Sequence, residues 1–167
     1  MSHKNLYLTV GISGSGKSTA IYKLAEKNPN AVIVSRDTIR FQLIGENDSY
    51  FAKEKEVFKQ YIEKIQRFLD NGYDVYADAT HLNYASRKKL LSNLKIDNDT
   101  RINILYFRVP LSVCIERNSV RSGMAFVPPE VIKRQFQNLK FPTFAEIDEL
   151  HYYCISTLNE QGADSYA

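Results

Sequence analysis

Nothing in the 167 residues approaches the roughly 20 consecutive apolar positions needed to cross a bilayer. The start, Met1 to Lys4, is polar and leads into a strand-like segment, so no secretory leader is visible and a cytoplasmic protein without membrane contact is expected. Cysteine is scarce. Cys114 and Cys154 are the two in the chain, too far apart for a CxxC or metal-ligand pattern and each flanked by apolar or aromatic neighbours, which predicts buried, reduced thiols. Charge of one sign is also lacking: the net value is +3, which neither demands nor excludes a polyanionic partner. Repeats, low-complexity tracts and linkers are absent. With 44% apolar and 25% charged residues the composition is that of a folded domain. One domain over 1–160 is expected, with 161–167 as a tail.

What is present alternates between two periodicities. Leu6–Val10, Ala31–Val34, Tyr73–Ala77 and Arg101–Val109 are short apolar runs of strand type, and His151–Thr157 is a weaker fifth. Between them lie helical stripes. Ala20, Ile21, Leu24 and Ala25 form one, ended by Asn28-Pro29. Val57, Phe58, Tyr61, Ile62, Ile65, Phe68 and Leu69 form a longer one, closed by Asn71-Gly72. Asn83 is placed to cap a helix through Leu90, Leu91 and Leu94, and Pro110 and Pro128-Pro129 open two more. Strands alternating with helices imply a parallel sheet covered on both faces, with ligands at the carboxyl ends of its strands.

At the first of those ends stands Gly11-Ile12-Ser13-Gly14-Ser15-Gly16-Lys17-Ser18, a full match to G-x-x-x-x-G-K-[ST] between a strand and a helix, followed by Thr19. Glycines there let backbone N–H groups curl inward onto phosphate oxygens. Lys17 supplies a cation for the β and γ phosphates, and the Ser18 hydroxyl is a magnesium ligand. The pattern predicts binding of ATP or GTP with Mg²⁺. Asp78, closing the third run, is the expected second magnesium-side residue. It has no acidic neighbour to position a water, as motor ATPases commonly have, and no Asn-Lys-x-Asp for guanine occurs. Phosphoryl transfer to an acceptor is therefore favoured over hydrolysis.

The second run ends in Ser35-Arg36-Asp37, with Arg40 three residues on. A carboxylate there lies across the cleft from the phosphate loop, where it could accept a proton from an incoming hydroxyl, and a helix would place Arg40 on the same face as an anion clamp. Helix capping by Asp37 with a solvated Arg40 is the competing reading. Arg117 and Arg121, in a stretch ending at Gly123, suit a lid that brings positive charge to the transferring group; a basic helix end is the alternative. Thr80 and His81 sit near the acceptor side, His81 equally explained as structural. Arg87, Lys88 and Lys89 are expected on a solvated helix face. Tyr50, Phe51, Phe136, Phe141 and Phe144 are chiefly core candidates, with base stacking open for one of them.

With those residues in hand, Leu6 to Ile132 resembles the 5′-hydroxyl polynucleotide kinases and their wider family of small P-loop kinases. The shared elements are the phosphate loop, Asp37-x-x-Arg40, Asp78-Ala79-Thr80-His81 (the family has Asn at the last place), Arg117-Asn118-x-x-Arg121, and Val127-Pro128. The resemblance implies a three-layer α/β fold around a five-stranded parallel sheet in the order 2-3-1-4-5, with an arginine-bearing lid. It implies Asp37 as general base, Arg40 on the phosphate next to the acceptor nucleoside, Thr80 beside the substrate, and Lys17 and Arg121 on the phosphoryl group. The implied partners are ATP and a nucleic-acid 5′-hydroxyl end. The same framework serves kinases of seryl-tRNA, sugars and other metabolites, so a small-molecule acceptor stays open, as does a nucleotide switch without acceptor chemistry. The length is expected to leave no room for the phosphatase or ligase domains often fused to such kinases.

Overall fold

The computed structural model describes residues 3–143, 146, 153–158 and 164–166, the last two stretches by backbone alone. Phe144, the side chain of Cys154 and most of the expected tail lie outside the described residues. In chain order the elements are β1 (Lys4–Val10), α1 (Lys17–Ala25), β2 (Ala31–Ser35), α2 (Arg36–Leu43), α3 (Glu54–Asp70), β3 (Asp74–Asp78), α4 (Tyr84–Ser92), β4 (Thr100–Phe107), α5 (Leu111–Ser119), a 3₁₀ turn (Gly123–Ala125), α6 (Pro129–Asn138), β5 (Tyr153–Leu158) and β6 (Asp164–Tyr166).

The sheet runs β2-β3-β1-β4-β5-β6. All neighbours are parallel except β5 and β6, which are antiparallel. The expected five-stranded sheet is thus corrected: the described sheet has six strands, because residues 164–166, within the expected tail, turn back along β5. The four strands β2-β3-β1-β4 carry the described core and the site.

Period-two alternation sends side chains to both faces of the sheet. Leu6, Leu8 and Val10 of β1 join Val75 and Ala77 of β3 and Ile102 and Ile104 of β4 on one face, covered by α3 and α4. α3 buries Val57, Tyr61, Ile65 and Leu69, one residue per turn, so its apolar stripe lies flat on the sheet. The opposite face carries Tyr7, Tyr76, Leu105 and Phe107 and is covered by α1 through Ile21 and Leu24. A third cluster, Ile12, Val109, Cys114, Val127 and Ile132, ties the phosphate loop to α5 and α6. Each such aliphatic side chain contributes about 1.5–3 kcal/mol on leaving water.

Local signals set several boundaries. Asn83 caps α4 in a reciprocal capping box with Ser86. Asn71 and Gly72 close α3, with Gly72 at φ 81°. The α2 cap is Ser35, whose side chain accepts from the Thr38 N–H at 3.2 Å, so Asp37 is not the capping residue.

Candidate active site

The carboxyl ends of β1, β2 and β3 open into one cleft of about 220 Å³. The phosphate loop forms its floor. Gly14 and Gly16 both sit at φ 84°, the left-handed region that only glycine enters cheaply. At Gly14 there is also no room: a Cβ would lie 2.4 Å from the carbonyl oxygen of Cys114 on α5. The loop is anchored from below by the Gly11 N–H, which donates to the Thr80 carbonyl at 3.0 Å.

Ser13, Gly14, Gly16, Lys17, Ser18 and Thr19 line the cleft floor. Gly11 and Ser15 are buried and do not line it. The Lys17 ammonium curls back to donate to the Ile12 carbonyl at 2.8 Å and to Ser15 Oγ at 3.4 Å. Lys17 as a whole is 8% exposed, and burial lowers its pKa to about 8 despite the nearby Asp78 and Asp37. Behind it the Ser18 hydroxyl donates to Asp78 Oδ2 at 2.8 Å. Burial raises the Asp78 pKa above the ordinary carboxylate value, while that hydrogen bond and Lys17 pull it back. Ser18 and Asp78 thus offer adjoining oxygen donors, the hard set that suits a magnesium ion keeping most of its waters, and on that ground they fit one.

Across the cleft, α2 presents Asp37 and Arg40 one turn apart. Asp37 is half exposed. Its Oδ1 accepts from the Arg40 guanidinium and from the Tyr50 hydroxyl, the latter at 2.6 Å, and among the described residues nothing donates to its Oδ2. Arg40, 4% exposed, is far from solvated. Its Nη1 also donates to the Tyr50 oxygen at 2.9 Å, its Nη2 donates to both Glu54 oxygens at 3.0 and 3.1 Å, and the guanidinium lies over the Tyr50 ring. Glu54 accepts from Arg36 as well. The Nε atoms of Arg36 and Arg40 are buried without a hydrogen-bond partner among the described residues. Phe51 lines the same wall with 57% of its surface exposed.

Arg121 lines the cleft from the third side, whereas Arg117 is off it and reaches the Gly14 carbonyl at 3.5 Å. Asn118 between them is fully buried and holds both backbone polar groups of Val127, at 2.6 and 3.0 Å. It therefore ties the arginine segment to the start of α6. Thr80 lines the cleft. His81 does not: it is buried at φ 40°. Its Nδ1 lies 2.6 Å from the Thr9 carbonyl and its Nε2 3.2 Å from the Tyr61 hydroxyl. A carbonyl only accepts, so Nδ1 carries the proton and Nε2 accepts from Tyr61. Burial lowers the His81 pKa to about 3, leaving the ring neutral.

The expectation for Arg87 is corrected. Lys88 and Lys89 are exposed, but Arg87 is buried, paired with Glu146 and donating to the His81 carbonyl at 2.8 Å. Three cleft residues escaped the sequence reading of the site: Arg36, Glu54 and Gln135, whose Oε1 accepts from the Ser13 N–H at 2.9 Å. The first two sit among alternating charges that look like solvated helix surface, and Gln135 belongs to no motif.

A nucleotide-type phosphate loop on a parallel sheet, facing a second wall that carries its own carboxylate, defines a P-loop kinase fold. The family profile described as "AAA domain" matches residues 6–142. The chain belongs to that family, as a P-loop kinase domain. It is similar to an L-seryl-tRNA(Sec) kinase of Methanococcus maripaludis, with 30% identity over 82% of the chain and 53% of the relative. It is also similar to a provisionally named bifunctional polynucleotide kinase/RNA ligase of Autographa californica nuclear polyhedrosis virus, with 27% identity over 91% of the chain and 22% of the relative. The chain thus spans about half or less of these relatives. A chain of the Pnkp1/Rnl/Hen1 RNA repair complex shares the fold at a TM-score of 0.71, with 23% identity, covering 91% of this chain and 48% of that one. Among the described residues no helix is long and apolar enough to cross a membrane.

Proposed function

We propose that the chain transfers the γ-phosphoryl group of ATP to a hydroxyl, and that the acceptor is the 5′-hydroxyl of a polynucleotide. The observation that carries this reading is Asp37. It stands opposite the phosphate loop with Oδ1 held by Arg40 and Tyr50 and, among the described residues, Oδ2 without a donor, which suits a general base for an entering hydroxyl. Lys17 and Arg121 supply positive charge where the transferring group spreads its negative charge over equatorial oxygens. The segment from Arg117 to Gly123 acts as the lid. Magnesium bound with the nucleotide would be held by Ser18 directly and by Asp78 through water, and would neutralise phosphate charge.

For the acceptor, Arg40 offers a guanidinium one turn from the base. Its guanidinium is held by the part-exposed Glu54, whose place a phosphate oxygen would take. A 5′-terminal nucleoside carrying a 3′-phosphate suits that spacing; a bare nucleoside or neutral sugar brings no anion. The name of the viral relative points to a polynucleotide acceptor. A second reading, a charged tRNA as acceptor, is favoured by the 30% identity to the seryl-tRNA(Sec) kinase. The test is to incubate the protein with γ-labelled ATP and a panel of 5′-hydroxyl oligonucleotides, seryl-tRNA, nucleosides, nucleoside 3′-monophosphates and sugars. Label on the oligonucleotides and 3′-monophosphates, with bare nucleosides scarcely used, is expected. Label confined to seryl-tRNA or to an acceptor without phosphate would replace the polynucleotide reading.

A further inference from the structure

The helix that follows the arginine segment is docked on the phosphate loop at two successive loop residues. Ile132 of α6 is fully buried and shares a cluster with Ile12. One turn on, on the same face of α6, the Gln135 side chain accepts from the Ser13 N–H at 2.9 Å. Ser13 belongs to the backbone that curls toward bound phosphate, yet its N–H is held by a side chain. That side chain is a carboxamide. With Oε1 committed to Ser13, the NH₂ on the other branch must point elsewhere, and among the described residues it donates to no protein acceptor. Gln135 lines the cleft together with Lys17 and Arg121, the two cations placed for phosphate.

A purely structural clip on Ser13 needs only an acceptor, and a carboxylate would hold the N–H more strongly. A carboxylate would also repel a phosphate entering beside Lys17. The carboxamide keeps the acceptor and replaces the second negative oxygen by a donor, which suits a neighbour that is itself an anion. The position on α6 adds a mechanical link: Asn118 binds the backbone of Val127 and so joins α6 to the segment bearing Arg117 and Arg121.

We infer that Gln135 reads the terminal phosphate of the bound nucleoside triphosphate: Oε1 fixes the Ser13 amide while Nε2 donates to the terminal phosphoryl group, so that the donor site prefers triphosphate over diphosphate. The inference rests on the donor-nucleotide reading and is independent of the acceptor. The role is one of positioning and specificity, set by a donor on α6 outside the phosphate-loop motif.

The test is calorimetric binding of ADP and of a non-transferable β,γ-imido analogue of ATP, each with magnesium, to the unaltered protein, Gln135→Glu and Gln135→Leu. Glu keeps an oxygen for Ser13 but substitutes an anion for the NH₂; Leu removes both. Both variants are expected to bind the triphosphate analogue about 10- to 100-fold more weakly, the range of one hydrogen bond to a charged group. ADP affinity should stay within about twofold in Gln135→Leu, serving also as the check that the loop is folded, and should fall clearly less than that of the analogue in Gln135→Glu, whose added charge also faces the β-phosphate. Wild-type affinity of Gln135→Glu for the analogue, or equal losses for the two nucleotides, would overturn the inference. If the unaltered protein binds neither nucleotide, the donor-site reading itself fails and takes this inference with it.

Discussion

Replacing Lys17 by Met should stabilise the ligand-free protein while removing its donor-site function. Lys17 is 8% exposed, and burial lowers its pKa from 10.5 to about 8. At about 1.4 kcal/mol per pH unit, that gap means the charged form costs about 3 kcal/mol to keep in the folded, empty site. Methionine fills similar space without the charge, but gives up the hydrogen bond to the Ile12 carbonyl, worth about 1 kcal/mol. A net gain of about 2 kcal/mol at neutral pH follows, or about 4–8 °C in Tm for a domain of this size. The sign with pH is fixed by proton counting. Between pH 8 and 10.5 the folded wild type has released the Lys17 proton while the unfolded chain still holds it, so wild-type stability rises relative to the variant. The advantage of Lys17→Met should be full below pH 8 and shrink through that window. Urea melts at about pH 7 and about pH 9.5 measure it. A variant no more stable than wild type at neutral pH, or an advantage equal at both pH values, would refute the reasoning.

Two further outcomes come from the same geometry. Gly14→Ala puts a Cβ against the Cys114 carbonyl at a positive φ; it should cost upward of about 2 kcal/mol and weaken nucleotide binding, and an unchanged urea midpoint would contradict this. His81 is held neutral with a pKa near 3, so below pH 6.5 the unfolded chain takes up a proton that the folded one refuses. The stability its neutral ring preserves is present above pH 6.5 and is lost as pH falls toward 3. His81→Asn, which tolerates φ 40°, should show a shallower loss of stability on acidification; identical slopes for the two proteins would count against a buried neutral His81.

The parts that were legible in the sequence are those whose cause is local. The phosphate loop, the stripe on α3 and the Asn83 cap each depend on residues within a turn or two of one another. Arg87 was not legible, because the partner that makes its burial tolerable, Glu146, lies 59 positions away. Glu54 and Arg36 sit in stretches of mixed charge where a bridging carboxylate looks the same as a solvated one. Only the packing of α2 against α3 turns Glu54 into a ligand of both Arg36 and Arg40. Likewise β6 is three residues long, too short for any periodicity, and Gln135 acquires meaning only when Ile132 seats α6 on the phosphate loop.

The central claim, transfer of the γ-phosphoryl group to a 5′-hydroxyl with Asp37 as base, is tested most directly by end-labelling a 5′-hydroxyl oligonucleotide from γ-labelled ATP with the wild-type protein and Asp37→Asn. Asparagine preserves the shape of the side chain but cannot take the proton. The account predicts label at the 5′ end with the wild type, a turnover about 10²–10⁴ lower with Asp37→Asn, and nucleotide affinity nearly the same in both. An unlabelled oligonucleotide, or equal rates for the two proteins, would contradict it.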